Sequence, residues 1–279
     1  MSQPTLDDTI RHIHRLPAMP AVALELLDTL SRGDPDVDAM ARHIAQDQAI
    51  AARVLRVANS PFYGLQARIG SIRDAIVVLG FSAVRSLVLA AAVVRALPAV
   101  SHAGFVPERF WRHVLGTAVA AQALARALGR PPEKLFLTGL LHDIGILVMV
   151  SAYPEHFARV VALATERDCH LEDVETEVFS FDHASVGAAL ARHWNFPEDI
   201  VDALAGHHQP ERAGSGGMAA VIHYADAIAI ALDLDGRDNN QVPKLDLDAV
   251  NALGLDWTTL IEVLAETQAR FDSYLPMLR

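Results

Sequence analysis

The pair His142-Asp143 lies inside an otherwise apolar stretch, residues 138–148, and this position strongly constrains how the chain can fold. The spacing of the surrounding apolar residues predicts a helix over residues 133–150. Burying a carboxylate without a partner is strongly unfavourable, so Asp143 must face a cation, a hydrogen-bond network or a solvated cleft. The sequence therefore predicts that polar groups from elsewhere in the chain converge on Asp143.

Five further side chains could supply those groups, because imidazole nitrogens and carboxylate oxygens are ligands for iron, zinc and manganese. A set of this size could hold two ions rather than one, and a binuclear centre is typical of hydrolytic phosphorus chemistry. The chain has 13 histidines, so some must lie near acids by chance, and the plain alternative is that each is a hydrogen-bonded structural residue. The candidates are His113, His183, His207, His208 and Asp226.

Length and composition limit the classes of protein to consider. At 279 residues the chain can bury a large core in one domain or two. Its formal net charge of −11 argues against a nucleic-acid partner, whose phosphates require a basic surface. The single Cys169 cannot form an internal disulfide, and the N-terminal residues lack the pattern of a signal peptide. The longest apolar run, residues 87–94, is shorter than the roughly 20 residues that cross a bilayer. We expect a cytoplasmic protein that enters no membrane.

Apolar residues recur at three- and four-residue intervals without the sustained alternation of a half-buried strand, so the sequence predicts an all-α fold. The irregular stretch around residues 98–107 predicts a boundary between an N-terminal helical lobe, residues 1–103, and a histidine-rich lobe, residues 104–279. The glycine-rich residues 213–217 could cover a pocket. Residues 59–63 are interpreted as a helix-ending turn with inward-packed rings, in preference to a partner-binding surface.

Several segments, taken in order, resemble the HDOD family, a signalling branch of the HD superfamily of metal-dependent phosphohydrolases. The resemblance spans about residues 12–230. It implies that an N-terminal helical bundle packs on an HD-like helical domain, and that the protein is an output or scaffolding module of bacterial signal transduction with signalling proteins as partners. The segments are Leu16-Pro-Ala-Met-Pro20, residues 47–64, 71–80, 139–145 and 182–197, and the doublet His207-His208.

The resemblance to the wider HD superfamily also implies roles for the candidate ligands. The first metal would be held by His113, His142, Asp143 and Asp226, and the second by His183, His207 and His208. The cyclic-di-GMP phosphodiesterase branch has a lysine where this chain has Ile146, and a Gly-Tyr-Pro signature where this chain has residues 209–217. An apolar Ile146 cannot stabilise negative charge on a transferring phosphoryl group, so cyclic-di-GMP hydrolysis is disfavoured.

Three hypotheses for the site stay open at this point. We favour a non-catalytic signalling module with a partly or fully retained metal site that binds one or two Fe, Mn or Zn ions. The alternative is a metal-dependent phosphohydrolase acting on a phosphoester or nucleotide, with Asp143 and His208 as catalytic candidates and Glu211 as a further group that could assist a bound water. The third is that Asp143 pairs with a histidinium or arginine in the core and has a structural role alone.

Overall fold

Helices make up the regular structure of the protein, as the spacing of its apolar side chains predicts. The computed structural model describes residues 3–32, 36–60, 68–97, 102, 104–213, 217–236, 242, 245 and 251–278. Within these ranges there is no β-strand, and one isolated bridge joins His102 to Phe105. The predicted all-α fold is confirmed. The aromatic residues of the predicted turn at 59–63 and the glycine-rich residues 214–216 lie outside the described residues.

Local signals set the ends of the helices in the first part of the chain. Ser71 caps one helix start, where its hydroxyl accepts a hydrogen bond from the amide of Asp74 at 3.1 Å. Gly80 ends the same helix with a φ of 85°, a conformation that favours glycine. The helices are α1 Leu6–Ile13, α2 Ala21–Arg32, α3 Val37–Gln46, α4 Gln48–Ala58, α5 Ile72–Leu79 and α6 Phe81–Ala96.

The second part of the chain contains longer and more deeply buried helices. Prolines begin three of them, α7, α8 and α10, at the first helical position, where an amide hydrogen is not needed. The helices are α7 Pro107–Ala127, α8 Pro132–Leu141, α9 Ile144–Ala152, α10 Pro154–Arg167, α11 Leu171–Phe179, α12 His183–His193, α13 Glu198–Gly206, α14 Met218–Ala231 and α15 Trp257–Tyr274.

The single helix predicted over residues 133–150 is interrupted at the His142-Asp143 pair, and this prediction is wrong. α8 ends at Leu141 and α9 begins at Ile144. The amide of Ile146 donates to the carbonyl of Asp143 at 2.9 Å, an i to i+3 bond that tightens the chain locally. Apolar residues continue on both sides of so short a break, so their spacing could not reveal it.

α7 is the central helix of the second part of the chain and packs against α8, α14 and α15. α9 packs on α12, and α12 packs on α13. Contacts between the two parts join α1 to α9 and α12, α6 to α8, and the short 3-10 turn Leu275–Leu278 to α4 and α6. One continuous hydrophobic core therefore contains residues from Ile13 to Met277.

Residues 132–152, which form α8 and α9, have the length and composition of a membrane-spanning segment. Their most apolar 18-residue window is 89% buried inside the protein. The apolar surface of these helices therefore packs against the rest of the fold, as expected for helices of a protein core.

The backbones of α9 and α12 cross so closely that no side chain fits between them at the crossing point. A Cβ atom built on Gly145 would lie 2.0 Å from the carbonyl oxygen of His183 and 2.7 Å from the amide nitrogen of Gly187. Both neighbours are backbone atoms, so a rotamer change cannot relieve the clash. Because α9 starts one residue after Asp143 and α12 starts at His183, this crossing places the two residues next to each other.

We expect Gly145→Ala to destabilise the protein by about 3 kcal/mol, since the added methyl group would force two backbones apart. Gly70→Ala is the matched control, because a Cβ at Gly70 meets no atom within 4 Å. The control should change stability by less than about 0.5 kcal/mol. Urea unfolding followed by circular dichroism measures both changes, and equal midpoints for the two variants would contradict the close crossing.

Candidate metal centre

All seven side chains that the sequence singled out come together in the second part of the chain. Most of them lie at helix ends, where the side chain projects past the last or first turn. His113 and Asp226 are inside α7 and α14, His142 and Asp143 lie between α8 and α9, His183 opens α12, and His207 and His208 follow α13.

Asp143 is the centre of the cluster. Its Oδ1 atom lies 3.1 Å from His183 Nε2, 3.4 Å from His142 Nε2 and 3.5 Å from His207 Nε2. Its Oδ2 atom lies 3.4 Å from His113 Nε2. In the described part of the chain, all the ion-pair partners of Asp143 are histidines. One carboxylate therefore lies within 3.5 Å of four imidazoles from four different helical segments.

Asp226 and His208 complete the cluster on opposite sides. Asp226 Oδ1 lies 3.1 Å from His113 Nε2 and 3.8 Å from His142 Nε2. His208 Nε2 lies 2.8 Å from His183 Nε2. Ligand atoms within 4.8 Å of one another form two overlapping groups that share Asp143. These groups are His113, His142 and Asp143, and Asp143, His183, His207 and His208.

Backbone carbonyls fix the orientation of two of the imidazoles. His142 Nδ1 lies 2.7 Å from the carbonyl of Gly139, and His207 Nδ1 lies 2.7 Å from the carbonyl of Leu204. A carbonyl oxygen only accepts, so each Nδ1 must carry the proton and each Nε2 must present a lone pair. Both Nε2 atoms are buried and have no hydrogen-bond partner among the described residues. The donor set therefore suits a metal ion, which would bind these lone pairs.

Electrostatics favour the metal-binding protonation states of Asp143 and His142, but carboxylates oppose those of His113 and His183 by raising the pKa of each ring. Burial opposes the charge on Asp143, but His142 and His183 hold the pKa of this carboxyl well below its usual value. Burial lowers the pKa of His142 to about 4. Burial also opposes the charge on His113, but the carboxylates of Asp143 and Asp226 raise its pKa to about 9. Near neutral pH, Asp143 is ionised and His142 is neutral, whereas His113 must release a proton before it can bind a metal.

A cavity of about 370 Å³ opens onto this cluster. Its volume is at the small end of the roughly 300–1,000 Å³ that is usual for small-molecule sites. Five of the seven cluster residues line it, so a ligand in the cavity could reach the centre. Most of the remaining wall is apolar, and Arg109 is the one lysine or arginine in the lining among the described residues. The apolar wall includes Phe105, Phe110, Ile146, Phe157, Val161 and Ile230.

Residues 16–210 match the HDOD domain family, and this match covers more than half of the chain. The chain belongs to the HDOD domain family. The resemblance inferred from the sequence motifs is thereby confirmed.

Two solved structures and one sequence relative are similar to most or all of this chain. The "Putative phosphohydrolase" of Shewanella amazonensis SB2B is 31% identical with a TM-score of 0.78, and the match covers 97% of this chain and 98% of that one. The "Putative signal transduction protein" of Marinobacter aquaeolei VT8 is 26% identical with a TM-score of 0.75, over 100% of this chain and 61% of that one. An uncharacterised protein of Treponema pallidum is 28% identical over 83% of this chain, which spans 45% of that relative.

Two residues of this HDOD chain bear on the question of catalysis. Ile146 lies three positions after Asp143, is 6% exposed and lines the cavity. The position of the phosphodiesterase lysine is therefore an apolar part of the cavity wall. Glu211 is exposed and is not among the described residues that line the cavity. The structure gives no contact through which Glu211 would assist a water at the centre.

Two carboxylates contact the cluster that were not predicted from the sequence. Glu175 is fully buried, and its Oε2 atom lies 2.8 Å from both the amide nitrogen and Nδ1 of His183. Glu172, one turn earlier on α11, has Oε1 3.6 Å from His208 Nδ1. The signal was the position of Glu175 on the same helical stripe as Leu171 and Phe179, the same kind of evidence that pointed to Asp143.

Asp182 sets the start of α12 and therefore the position of His183. Its Oδ1 atom accepts a hydrogen bond from the amide of Ser185 at 2.8 Å, which is an N-cap interaction. Burial opposes ionisation of Asp182, but the hydrogen bonds from Ser185 outweigh burial and lower the pKa of its carboxyl.

We expect Asp182→Ala to lower the free energy of unfolding by about 1 kcal/mol, because the first turn of α12 loses its cap. Asp182→Asn should keep most of that stability, since asparagine caps helices nearly as well as aspartate. Urea unfolding in the presence of a chelator measures the change without a contribution from metal binding. An equal loss for the two variants would show that Asp182 does not act as a cap.

Proposed function

We propose that this chain is an HDOD output or scaffolding module of bacterial signal transduction whose HD-like part binds one or two divalent transition-metal ions. The observation that carries the metal site is the clustering of six imidazole and carboxylate groups around Asp143, most of them buried. Burying so many ionisable groups without a cation would be costly, and a metal ion satisfies all of them at once. Nitrogen and oxygen donors together suit iron, manganese or zinc.

We infer two positions for the proposed ions. His113, His142 and Asp226 would hold the first ion, and His183, His207 and His208 the second. Asp143 belongs to both groups of neighbouring ligand atoms, so it would contribute to both positions. The loss of Asp143 should therefore affect both positions.

The signalling role draws support from the family and from one solved relative. The Marinobacter protein that shares this fold over the whole of the present chain is named as a signal transduction protein. The apolar Ile146 in the cavity wall supports a non-catalytic module, because it provides no charge for a phosphoryl group. We infer that partner proteins bind the helical surface. A division into two lobes between residues 103 and 104, and a cytoplasmic location, stay predictions.

We expect elemental analysis of the purified protein to find at least one transition metal per chain, and Asp143→Asn to lose it. The amide keeps the shape of the side chain but lacks the negative charge that the ion requires. The matched control is Asp202→Asn on α13, where the side chain is exposed. The control should bind as much metal as the parent protein. A parent protein that binds no transition metal, even after anaerobic reconstitution, would contradict the proposal.

A metal-dependent phosphohydrolase is the second candidate, and the cavity favours it. The cavity reaches His113, Asp143, His183 and Asp226 directly, so a phosphoester or nucleotide could contact the centre. A bound metal would polarise phosphoryl oxygens and lower the pKa of a coordinated water. Asp143 would then orient the ion, and His208, which is partly exposed at the cavity, could exchange a proton with the water or the leaving group. The Shewanella relative bears the name of a phosphohydrolase.

A screen of phosphomonoesters, phosphodiesters and nucleotides separates the two candidates. The non-catalytic module predicts no turnover above that of Asp143→Ala in the presence of Mn²⁺, Fe²⁺ or Zn²⁺. Metal-dependent turnover that Asp143→Ala abolishes and Asp202→Asn retains would establish the phosphohydrolase instead. The comparison requires that the parent protein in the assay carries metal, which the elemental analysis checks.

A further inference from the structure

The two proposed ion positions differ in the groups that contact the Nδ1 atoms of their histidines. Among the first-ion ligands, His142 donates to the backbone carbonyl of Gly139. At the second position, His183 and His208 each turn Nδ1 toward a carboxylate from one helix, α11. A carboxylate is a stronger acceptor than a carbonyl and carries a full negative charge. The second position is therefore supported by charges that the first position lacks.

Glu175 is the stronger of the two supports. It is fully buried, and both of its oxygens lie within 2.9 Å of His183 Nδ1. One of these oxygens also accepts the backbone amide of His183 at 2.8 Å. These contacts fix a proton of His183 on Nδ1 and turn Nε2 toward the centre, so Nε2 is the atom that can bind an ion once it is deprotonated.

Glu172 lies behind the neighbouring histidine at a longer distance. Its Oε1 atom lies 3.6 Å from His208 Nδ1, at ion-pair distance, and its side chain is 27% exposed at the cavity. Glu172 and Glu175 are three residues apart, so both project from the same face of α11. With both Nδ1 atoms turned toward carboxylates, the Nε2 atoms of His183 and His208 face each other at 2.8 Å. At that distance the two rings share a hydrogen bond, so the proton between the two Nε2 atoms must leave before both can bind an ion.

We propose that α11 is a carboxylate clamp for the second ion, in which Glu175 and Glu172 are positioning residues that hold His183 and His208 ready to bind. This inference rests on the proposed metal site and assigns its second position a dependence on α11. Carboxylates behind metal-bound histidines orient the ring and make it a better donor. Removing one typically weakens metal binding by about 10- to 100-fold.

Stepwise Mn²⁺ titration of the chelator-treated full chain by calorimetry tests the clamp. We expect Glu175→Gln to weaken the second binding step by about 10- to 100-fold and to leave the first step within about twofold. Glu172→Gln should weaken the same step by a smaller factor, because its contact is longer. A purely structural defect would weaken both steps together, so the selective loss is the decisive readout.

Glu177→Gln on the same helix is the control, since Glu177 is exposed and pairs with Arg167 instead. It should titrate like the parent protein. Circular dichroism checks that Glu175→Gln folds, and Glu172→Gln, at a partly exposed position, provides the test if Glu175→Gln does not. Two binding steps of parental strength in both glutamine variants would overturn the clamp and leave the metal site standing. A parent protein that binds no Mn²⁺, Fe²⁺ or Zn²⁺ would overturn the metal site and the clamp together.

Discussion

The close crossing of α9 and α12 is the constraint on which the centre depends. Gly145 has no room for a Cβ atom, because such an atom would lie 2.0 Å from the carbonyl oxygen of His183. The crossing brings the start of each helix to the same point, and each start carries a ligand candidate. A similar contact holds α8 on α7, where a Cβ on Gly139 would lie 2.8 Å from Ala118 Cα. Glycine at these two positions thus brings histidines from distant segments within reach of Asp143.

The electrostatics of the centre explain why the site is built from so many histidines. A buried carboxylate needs positive or polar neighbours, and Asp143 receives only imidazoles in the described part of the chain. Imidazoles can serve either as histidinium partners or as neutral metal ligands. His113 fits the role of a histidinium partner, because two carboxylates outweigh its burial and raise its pKa. His142 and His207 fit the role of a neutral metal ligand, because a backbone carbonyl holds the proton of each ring on Nδ1, away from the centre. Pairing of Asp143 with histidinium and metal binding are therefore alternative states of one cluster.

Much of this arrangement could be predicted from the sequence, and the exceptions have physical causes. The spacing of apolar residues predicts the helices, and the resemblance to the wider HD superfamily predicts all seven members of the cluster. The break between α8 and α9 was missed because apolar residues continue on both sides of it. Glu175 was missed because a glutamate in a helix rich in acidic residues resembles a solvated surface group. The stripe that it shares with Leu171 and Phe179 indicates burial, but its contact with His183 depends on how α11 packs against α12, which no local pattern encodes.

The central claim is that the seven side chains form a metal site rather than a set of buried ion pairs. Anomalous diffraction from a crystal soaked in Mn²⁺ tests it most directly. The account predicts an anomalous peak within bonding distance of Asp143, with His113, His142 and Asp226 on one side or His183, His207 and His208 on the other. An anomalous map that shows Mn²⁺ peaks elsewhere in the crystal but no peak at Asp143 would contradict the account.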